Sequence, residues 1–345
     1  MFDLRGLEVP IIAAPMAGGP STPGLVIAAA RAGGFGFLAA GYKTPEVLDS
    51  DIGAVADVGV DYGVNIFIPG PPIRDRAAVE RYRESLRPLA ERYGVPLPEI
   101  VDGDDDHFAA KIDLVVERRV PVVSFTFGLP SVDVVARLHD ADIAVVAGVA
   151  SADDADRAVA IGMDGLCVQG TEAGGHRASL DLDTRPNTTP AITLVREVVS
   201  RTDIPVIAAG GICDGRAVAD NLAAGAVAVQ IGTALLDSDE AGTSTVHRAA
   251  LRSPSSTETV VTRAFSGRPA RALRNDFTDT YDSTAPAEYP AVHHLTSPLR
   301  KAAAAAGGRD DVNLWAGTSF GSIGGGSGAH IIADLWAQSQ HSSGR

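Results

Sequence analysis

One pattern recurs eight times along this chain: a short apolar run, a turn containing Gly, Pro or Ser, and a longer Ala-rich stretch with helical periodicity. The runs are nearly continuous in their hydrophobicity, which is typical of strands covered on both faces of a parallel sheet. Eight such units predict an α/β fold, the (β/α)8 TIM barrel. The predicted strands are residues 9–13, 35–39, 62–66, 120–125, 143–147, 165–168, 204–208 and 227–231.

Helix start signals stand between the runs. Ser131, Ser151 and Asp214 each precede an amphipathic stretch, and a side-chain oxygen at such a position can cap the free N–H groups of a first helical turn. Ser21-Thr22-Pro23 has the same character, with proline at a first helical position.

Two intervals are longer than a single β-α crossover requires. Residues 70–119 contain two helical stretches around the acidic run 102–106, which we interpret as a solvated loop and not a metal site, because adjacent carboxylates repel. Residues 237–345 show no further strand repeat. We predict a barrel domain at residues 1–236 and a helical lid or subdomain at residues 237–345, which returns to the barrel and ends in a frayed tail after Trp336.

Composition limits the possible partners. The net charge of -14 over 345 residues argues against nucleic acid and anionic membranes, which bind basic surfaces. No apolar run approaches the roughly 18 residues of a spanning helix, and the N-terminus lacks signal-peptide character. Cys167 and Cys213 are too few for a disulfide framework. We expect a cytoplasmic protein, monomer or homodimer, that acts on a small molecule without a metal, nucleic acid or membrane.

The turns after the seventh and eighth strands are rich in glycine. Ala209-Gly210-Gly211-Ile212 precedes one helical stretch, and Gln230-Ile231-Gly232-Thr233 precedes another. Backbone N–H groups in such turns bind anions, and TIM barrels frequently hold a phosphate at this place. The adjacent pair favours a phosphate-bearing cofactor over the alternative of two tight strand-to-helix turns.

The segment 169–176 follows the sixth strand and ends in Gly174-Gly175-His176. Glycines allow the backbone to approach a flat ligand closely, and the imidazole can take up or return a proton near neutral pH. Gln169 offers both a donor and an acceptor. The segment therefore predicts a flavin and substrate site, the alternative being a histidine that caps a helix or joins two loops.

Five segments together resemble class I nitronate monooxygenase, formerly called 2-nitropropane dioxygenase. They are Ala-Pro-Met-Ala-Gly-Gly (14–19), Gly-Val-Asn-Ile-Phe (63–67), Ser-Phe-Thr-Phe-Gly-Leu-Pro (124–130), Gln-Gly-Thr-Glu-Ala-Gly-Gly-His-Arg (169–177) and Ala-Ala-Gly-Gly-Ile (208–212). The similarity extends from about residue 5 to residue 320, and the segment that contains His176 is its most specific part.

The resemblance implies an FMN-bound TIM barrel that oxidises alkyl nitronates, or nitroalkanes, with O2 to a carbonyl compound and nitrite. It assigns catalysis to His176, which would remove the α-proton of a nitroalkane or orient a nitronate while the flavin accepts one electron. The matching FMN positions are Met16, Asn65, Gln169, Gly174, Gly211, Gln230, Ile231, Gly232 and Thr233. Ala14, Gly175 and Gly210 lie in the same turns and complete the predicted cofactor site.

Four residues are predicted to line the substrate pocket, namely Thr126, Tyr289, His293 and Ser297. Family members often have histidine where Thr126 stands, and a hydroxyl cannot carry positive charge. The family's two tyrosines and a lysine at four-residue spacing correspond here to Tyr289, His293 and Ser297, so only the first tyrosine is kept. His293 can replace the lost cation, and these departures concern the substrate more than the fold.

Two other functions fit the same barrel. One is an FMN-dependent NAD(P)H reductase of quinones or enoyl thioesters, which needs no separate dinucleotide fingerprint. The other is a flavin-binding barrel whose activity has decayed, which the changes at residues 126, 293 and 297 would permit. Cys213 could suggest thiol chemistry, although a small residue at a turn explains it as well.

Overall fold

The computed structural model describes residues 2–342, and eight parallel strands at its centre close into a barrel. The strands in chain order are β1 (Ile11–Ala13), β2 (Phe35–Ala39), β3 (Gly63–Phe67), β4 (Val122–Thr126), β5 (Ala144–Val149), β6 (Gly165–Gln169), β7 (Gly175–His176), β8 (Val206–Ala209), β9 (Ala228–Ile231), β10 (Thr259–Thr262) and β11 (Ala270–Leu273). β1 pairs with β2 and with β9, which closes the barrel, while β7, β10 and β11 form a separate small sheet. The eight predicted runs are the eight barrel strands, so the predicted TIM barrel is confirmed.

Helices follow the strands around the barrel. They are α1 (Pro23–Arg31), α2 (Pro45–Ala56), α3 (Arg76–Ser85), α4 (Arg87–Tyr93), α5 (Phe108–Glu117), α6 (Val132–Asp140), α7 (Ala152–Ala160), α8 (Ala191–Val199), α9 (Gly215–Ala223), α10 (Thr245–Leu251), α11 (Asp276–Tyr281), α12 (Ala291–Ala305) and α13 (Gly328–Ser342). Thr22, Ser131, Ser151 and Asp214 cap their helices through side-chain oxygens, as predicted.

Alternating residues of the barrel strands face two different apolar layers. Ile12, Phe35 and Phe37 belong to one buried cluster, whereas their neighbours Ile11 and Leu38 belong to the larger cluster that includes helix residues. This alternation is what a closed barrel requires. Full burial of a phenylalanine contributes about 1.5–3 kcal/mol, so the two rings are a substantial part of the interior's stability.

The C-terminal segment contains helices α10 to α13 between residues 237 and 342, but also the hairpin of β10 and β11, which the sequence analysis did not predict. Each strand has only four residues, and the connection between them, residues 263–269, lacks the two-residue turn that marks a tight hairpin. β11 pairs with β7, so this sheet joins the segment to the barrel.

The end of the chain returns to the barrel as helix α13, which packs against α1 and α9. The frayed tail predicted after Trp336 is therefore corrected, since α13 continues to Ser342 and residues 343–345 lie outside the described part. Ile332 and Leu335 are buried in the barrel's large apolar cluster, and this burial holds the last helical turns in place.

A second apolar core lies outside the barrel. Helices α3 and α4 contribute Tyr82 and Leu89, and α12 contributes Leu295 and Leu299. The long interval at residues 70–119 thus supplies two helices that support the C-terminal segment. No helix within residues 2–342 has the length and apolar character needed to cross a membrane.

Candidate active site

A cavity of about 900 Å³ lies at the C-terminal ends of the barrel strands. The C-terminal segment completes its wall with residues of α12 and of the stretch 312–319. All twelve predicted FMN-binding residues line this cavity, and so do His176, Thr126, His293 and Ser297. Tyr289 is the one predicted site residue that does not.

The glycine turns after β8 and β9 lie side by side, because these strands are neighbours in the barrel. Gly210 and Gly211 have φ values of 118° and 72°, a backbone region that favours glycine. Thr233 Oγ1 accepts from Gly317 N at 2.9 Å, and Ser319 Oγ donates to the Gly211 carbonyl at 3.1 Å. The stretch 317–319 therefore holds both turns together in the arrangement expected of a phosphate site.

His176 lies on strand β7 and not in a free loop, because Ala270 of β11 pairs with it. Gln169 fixes this strand from the barrel side: its Nε2 donates to the His176 carbonyl at 3.1 Å, and its Oε1 accepts from Ala178 N at 2.9 Å. Gln169 thus positions the histidine in addition to lining the cavity. A two-residue strand has no sequence signature, since its partner lies over ninety residues further along the chain.

One side of the His176 ring is held by a serine. Nε2 lies 2.8 Å from Ser266 Oγ, which also accepts from Arg268 N and donates to the Arg268 carbonyl, both at 3.3 Å. This arrangement around Ser266 favours the tautomer in which His176 Nε2–H donates to the serine. Nδ1 is then the unprotonated nitrogen, and it has no hydrogen-bond partner among residues 2–342.

The surroundings of His176 keep its imidazole neutral. The ring is packed among Phe127, Tyr289 and Trp315. Burial, together with the positive charges of Arg268 and Arg300, lowers the pKa of His176 to about 3. His176 therefore has one unprotonated ring nitrogen at neutral pH.

Asn65 and Thr126 form one polar group on the opposite wall. Asn65 Nδ2 donates to Ser124 Oγ at 2.9 Å and to Thr126 Oγ1 at 3.0 Å. The Thr126 hydroxyl oxygen accepts this bond, so its own proton is available to a ligand. These side chains come from adjacent strands, β3 and β4, which explains their contact.

Tyr289 lies behind the cavity wall. It is 5% exposed, its ring contacts Phe127, and its hydroxyl hydrogen-bonds the Tyr42 hydroxyl. Tyr42 lines the cavity in its place. Burial raises the pKa of Tyr42 to about 12, so both hydroxyls are neutral donors at physiological pH.

Helix α12 presents His293, Ser297 and Arg300 to the cavity. The His293 ring stacks on the Tyr42 ring with centroids 4.0 Å apart and planes at 4°. Its Nδ1 lies 3.4 Å from Arg300 Nη2, and burial beside this arginine lowers the pKa of His293 well below its usual value. His293 is therefore neutral here, and Arg300 carries the positive charge that the sequence analysis had attributed to His293.

The described residues match the family model "Nitronate monooxygenase" over residues 2–337. The chain belongs to the nitronate monooxygenase family. It is 38% identical over 323 residues to a Staphylococcus saprophyticus protein named "Probable nitronate monooxygenase", with 92% of this chain and 90% of that protein covered. The family is one of flavoenzymes, so the chain is a flavin-dependent oxidoreductase.

Solved structures agree with this assignment. A nitroalkane oxidase from Streptomyces ansochromogenes superposes with a TM-score of 0.94 at 41% identity, covering 99% of this chain and 98% of its own. FabK from Thermotoga maritima is more distant, with a TM-score of 0.77 at 27% identity and coverage of 99% and 95%. The greater similarity to the nitroalkane oxidase structure therefore favours the nitronate monooxygenase interpretation over the reductase interpretation.

Three residues of this nitronate monooxygenase site were absent from the sequence predictions: Tyr42, Ser266 and Arg300. Tyr42 has a φ of 67°, which no local pattern indicates. Ser266 and Arg300 stand in segments whose position over the barrel depends on the hairpin and on the second apolar core. The helical spacing of Arg300 three residues after Ser297 was the one available signal.

The acidic run at residues 102–106 reaches the cavity mouth and is not merely solvated. Asp104 Oδ2 lies 2.7 Å from His294 Nε2 of α12, and Asp106 pairs with the buried Lys111 at 2.8 Å. The loop therefore fastens α12 to the barrel. No cluster of three metal-ligating side chains occurs within the described residues.

Proposed function

We propose that this protein is an FMN-dependent nitronate monooxygenase that oxidises alkyl nitronates, and nitroalkanes, with O2 to a carbonyl compound and nitrite. The observation that carries the proposal is the His176 ring, which lines the cavity from strand β7 and is held, within the described chain, through Nε2 by Ser266. The family membership supports the same reaction.

The cavity suits FMN in both of its parts. The paired turns at Gly210–Gly211 and Gly232–Thr233 would hold the phosphate. Gly232 has room for a close ligand, since an added Cβ would contact the Ala14 and Met16 side chains at 3.5 and 3.6 Å. Ala14, Met16, Asn65, Gln169 and Gly174 would hold the flat ring. When bound, FMN supplies the electron acceptor for the nitronate and the site of reaction with O2.

The protein's own residues would bind and orient the substrate beside that ring. His176 Nδ1 would accept the α-proton of a nitroalkane, while Ser266 holds Nε2 and fixes the tautomer. Thr126 would donate a hydrogen bond to a nitro oxygen. The burial that keeps His176 neutral also makes it a weak base, which favours nitronates, already deprotonated, as the better substrates.

We further propose that residues 1–236 form the FMN-binding barrel domain and that residues 237–345 form a lid that returns to it. We also predict that the protein acts in the cytoplasm, as a monomer or a homodimer. Small nitro compounds and O2 are the proposed partners.

The cofactor is tested by denaturing the purified yellow protein and chromatographing the released flavin. We expect FMN, because the cavity offers one phosphate cradle. FAD, or the absence of flavin, would contradict the proposal.

The reaction is tested by mixing the protein anaerobically with propionate 3-nitronate and, separately, with NADH and NADPH. Bleaching of the flavin by nitronate alone is expected. Bleaching by a reduced nicotinamide and not by nitronate would instead support the quinone or enoyl-thioester reductase. No bleaching by any of them would favour a barrel with decayed activity.

A further inference from the structure

Arg300 is a buried cation without a buried anion. It is 9% exposed and lines the cavity from helix α12. Its guanidinium meets three neutral acceptors: Thr296 Oγ1 at 3.2 Å, His293 Nδ1 at 3.4 Å, and Asn313 Oδ1. No carboxylate within residues 2–342 forms an ion pair with it at 4.0 Å or less.

The charge of Arg300 persists despite its burial. Desolvation lowers the pKa of Arg300 to about 10, which leaves the guanidinium protonated at neutral pH. Taking a charged group out of water is costly, and proteins normally compensate it with an opposite charge. For Arg300 the compensating charge is missing from the described chain.

Two other buried arginines also form no ion pair within residues 2–342, but backbone carbonyls accept their hydrogen bonds. Arg268 is 3% exposed, stacks 4.5 Å from the Phe127 ring centroid and donates to the Phe127 carbonyl at 2.9 Å. Arg177 donates to three carbonyls of the 170–173 turn. Neither lines the cavity, whereas Arg300 is the one cavity-lining arginine of the described residues. Its position thus points to a ligand and not to a structural partner.

We propose that Arg300 binds an oxyanion of the substrate, either a carboxylate carried by the nitronate or the nitronate group itself. The planar guanidinium fork matches the two oxygens of either group. The proposal rests on the proposed function, which makes this cavity the substrate site. It adds Arg300 to the substrate-binding residues that were predicted from the sequence.

The neighbours of Arg300 hold its head group in place for this role. His293 is fixed by its stack on Tyr42, and Thr296 Oγ1 is anchored to the Phe265 carbonyl. A guanidinium held in advance loses little freedom on binding, which favours affinity. Arg300 thus supplies a positive charge on helix α12, three residues after Ser297.

The test uses two unreactive anions and the flavin-loaded protein. Succinate has the size and both charges of propionate 3-nitronate, with a carboxylate in place of the nitronate. Butyrate corresponds in the same way to propyl nitronate and carries one charge. Binding of each is measured by calorimetry for the wild type and for Arg300→Gln, Asn313→Asp and Arg81→Gln.

We expect Arg300→Gln to weaken succinate binding about ten- to a hundredfold, the usual effect of removing a charged hydrogen-bond donor. Asn313→Asp keeps the arginine but places a carboxylate against it, so it should also weaken succinate binding while leaving the fold stable. Arg81→Gln removes the same charge from an exposed position of α3 that does not line the cavity and should change the affinity by less than about twofold.

The two anions separate the two sources of the oxyanion. A loss confined to succinate identifies the second carboxylate as the partner of Arg300, and an equal loss for butyrate identifies the group in the nitronate position. The proposal is overturned if Arg300→Gln and Asn313→Asp both bind succinate with unchanged affinity, or if the wild type binds no succinate. It is also overturned if these two variants lose flavin but keep their affinity for the anions. Arg300-dependent succinate binding in a protein that oxidises no nitronate would refute the proposed function alone.

Discussion

His176 is hydrogen-bonded on one side and open on the other, and this asymmetry can be tested by removing the ring. His176→Asn should retain flavin, because the phosphate turns and Gln169 are intact. Turnover of neutral nitroalkanes should fall by about two to four orders of magnitude, as for the loss of a general base. Turnover of preformed nitronates should fall much less, and steady-state oxygen uptake with both substrates measures the difference.

Ser266→Ala serves as the partner experiment for His176. The ring stays, but the hydrogen bond that fixes its tautomer is lost, so a loss smaller than that of His176→Asn is expected on nitroalkanes. Equal losses on nitroalkanes and nitronates in His176→Asn would show that the ring positions the anion and does not remove a proton.

Thr126 offers a second test at the scale of one residue. Thr126→Val keeps the shape of the side chain and removes its hydroxyl. A neutral hydrogen bond contributes roughly 0.5–1.5 kcal/mol, so Thr126→Val should raise the KM for propionate 3-nitronate about two- to tenfold. Kinetics with a neutral nitroalkane of similar size provide the comparison. An unchanged KM for both would mean that residue 126 does not contact substrate.

The site residues that sequence alone could identify share one property: each belongs to a contiguous motif. The glycine turns and the segment ending in His176 carry their chemistry in neighbouring positions, and the barrel brings them together as expected. Tyr42, Ser266 and Arg300 act singly, and their contacts come from segments far apart in the chain. No local pattern encodes such contacts.

At the scale of elements, the barrel strands were predictable because each is an apolar run buried on both faces. Strand β7 was not, since two residues show no period and its partner β11 lies over ninety residues away. Helix α11 has only six residues, too few to show a helical period in the sequence. The reciprocal cap of Asn275 and Thr278 explains why it is helical.

The contact between β7 and the stretch 314–317 allows a test of this part of the site. A Cβ on Gly174 would lie 2.5 Å from Ala316 C and Gly317 N. Those atoms cannot easily retreat, because Ala316 N donates to the Arg271 carbonyl and Gly317 N to Thr233. Gly174→Ala should therefore cost roughly 1–3 kcal/mol of stability and reduce flavin retention.

Gly321→Ala is the matched control, since an added Cβ there meets nothing within 4 Å and the backbone is not left-handed. Thermal unfolding and flavin content of both variants are measured together. If Gly174→Ala is as stable as the control and retains as much flavin, the 314–317 stretch can shift to accommodate the added Cβ.

At the scale of the whole molecule, three histidines with lowered pKa values predict how stability depends on pH. Burial lowers the pKa of His176 to about 3 and of His247 to about 4, and it lowers that of His293 as well. Below about pH 6.5 the unfolded chain takes up protons at these residues that the folded chain does not. Stability should therefore fall as the pH drops from about 6.5 toward 4.

Calorimetric Tm values between pH 7 and 4.5 test this expectation. Asp106 and Asp154, whose pKa values burial raises, act in the opposite sense toward the acidic end. His247→Gln should flatten the dependence, because one of the three proton uptakes is removed. A Tm that rises as the pH falls through 6 would contradict the prediction.

Helix α13 has a consequence for how the molecule is made. It occupies the place in the outer ring between α1 and α9, yet residues 232–327 separate it from the last barrel strand. During synthesis on the ribosome, all eight barrel strands emerge well before it. Until residues 328–342 follow, the apolar faces of α1 and α9 that meet Ile332 and Leu335 have no cover. The nascent barrel is thus exposed on one side for about a hundred residues of elongation, and that side is where chaperones would bind it.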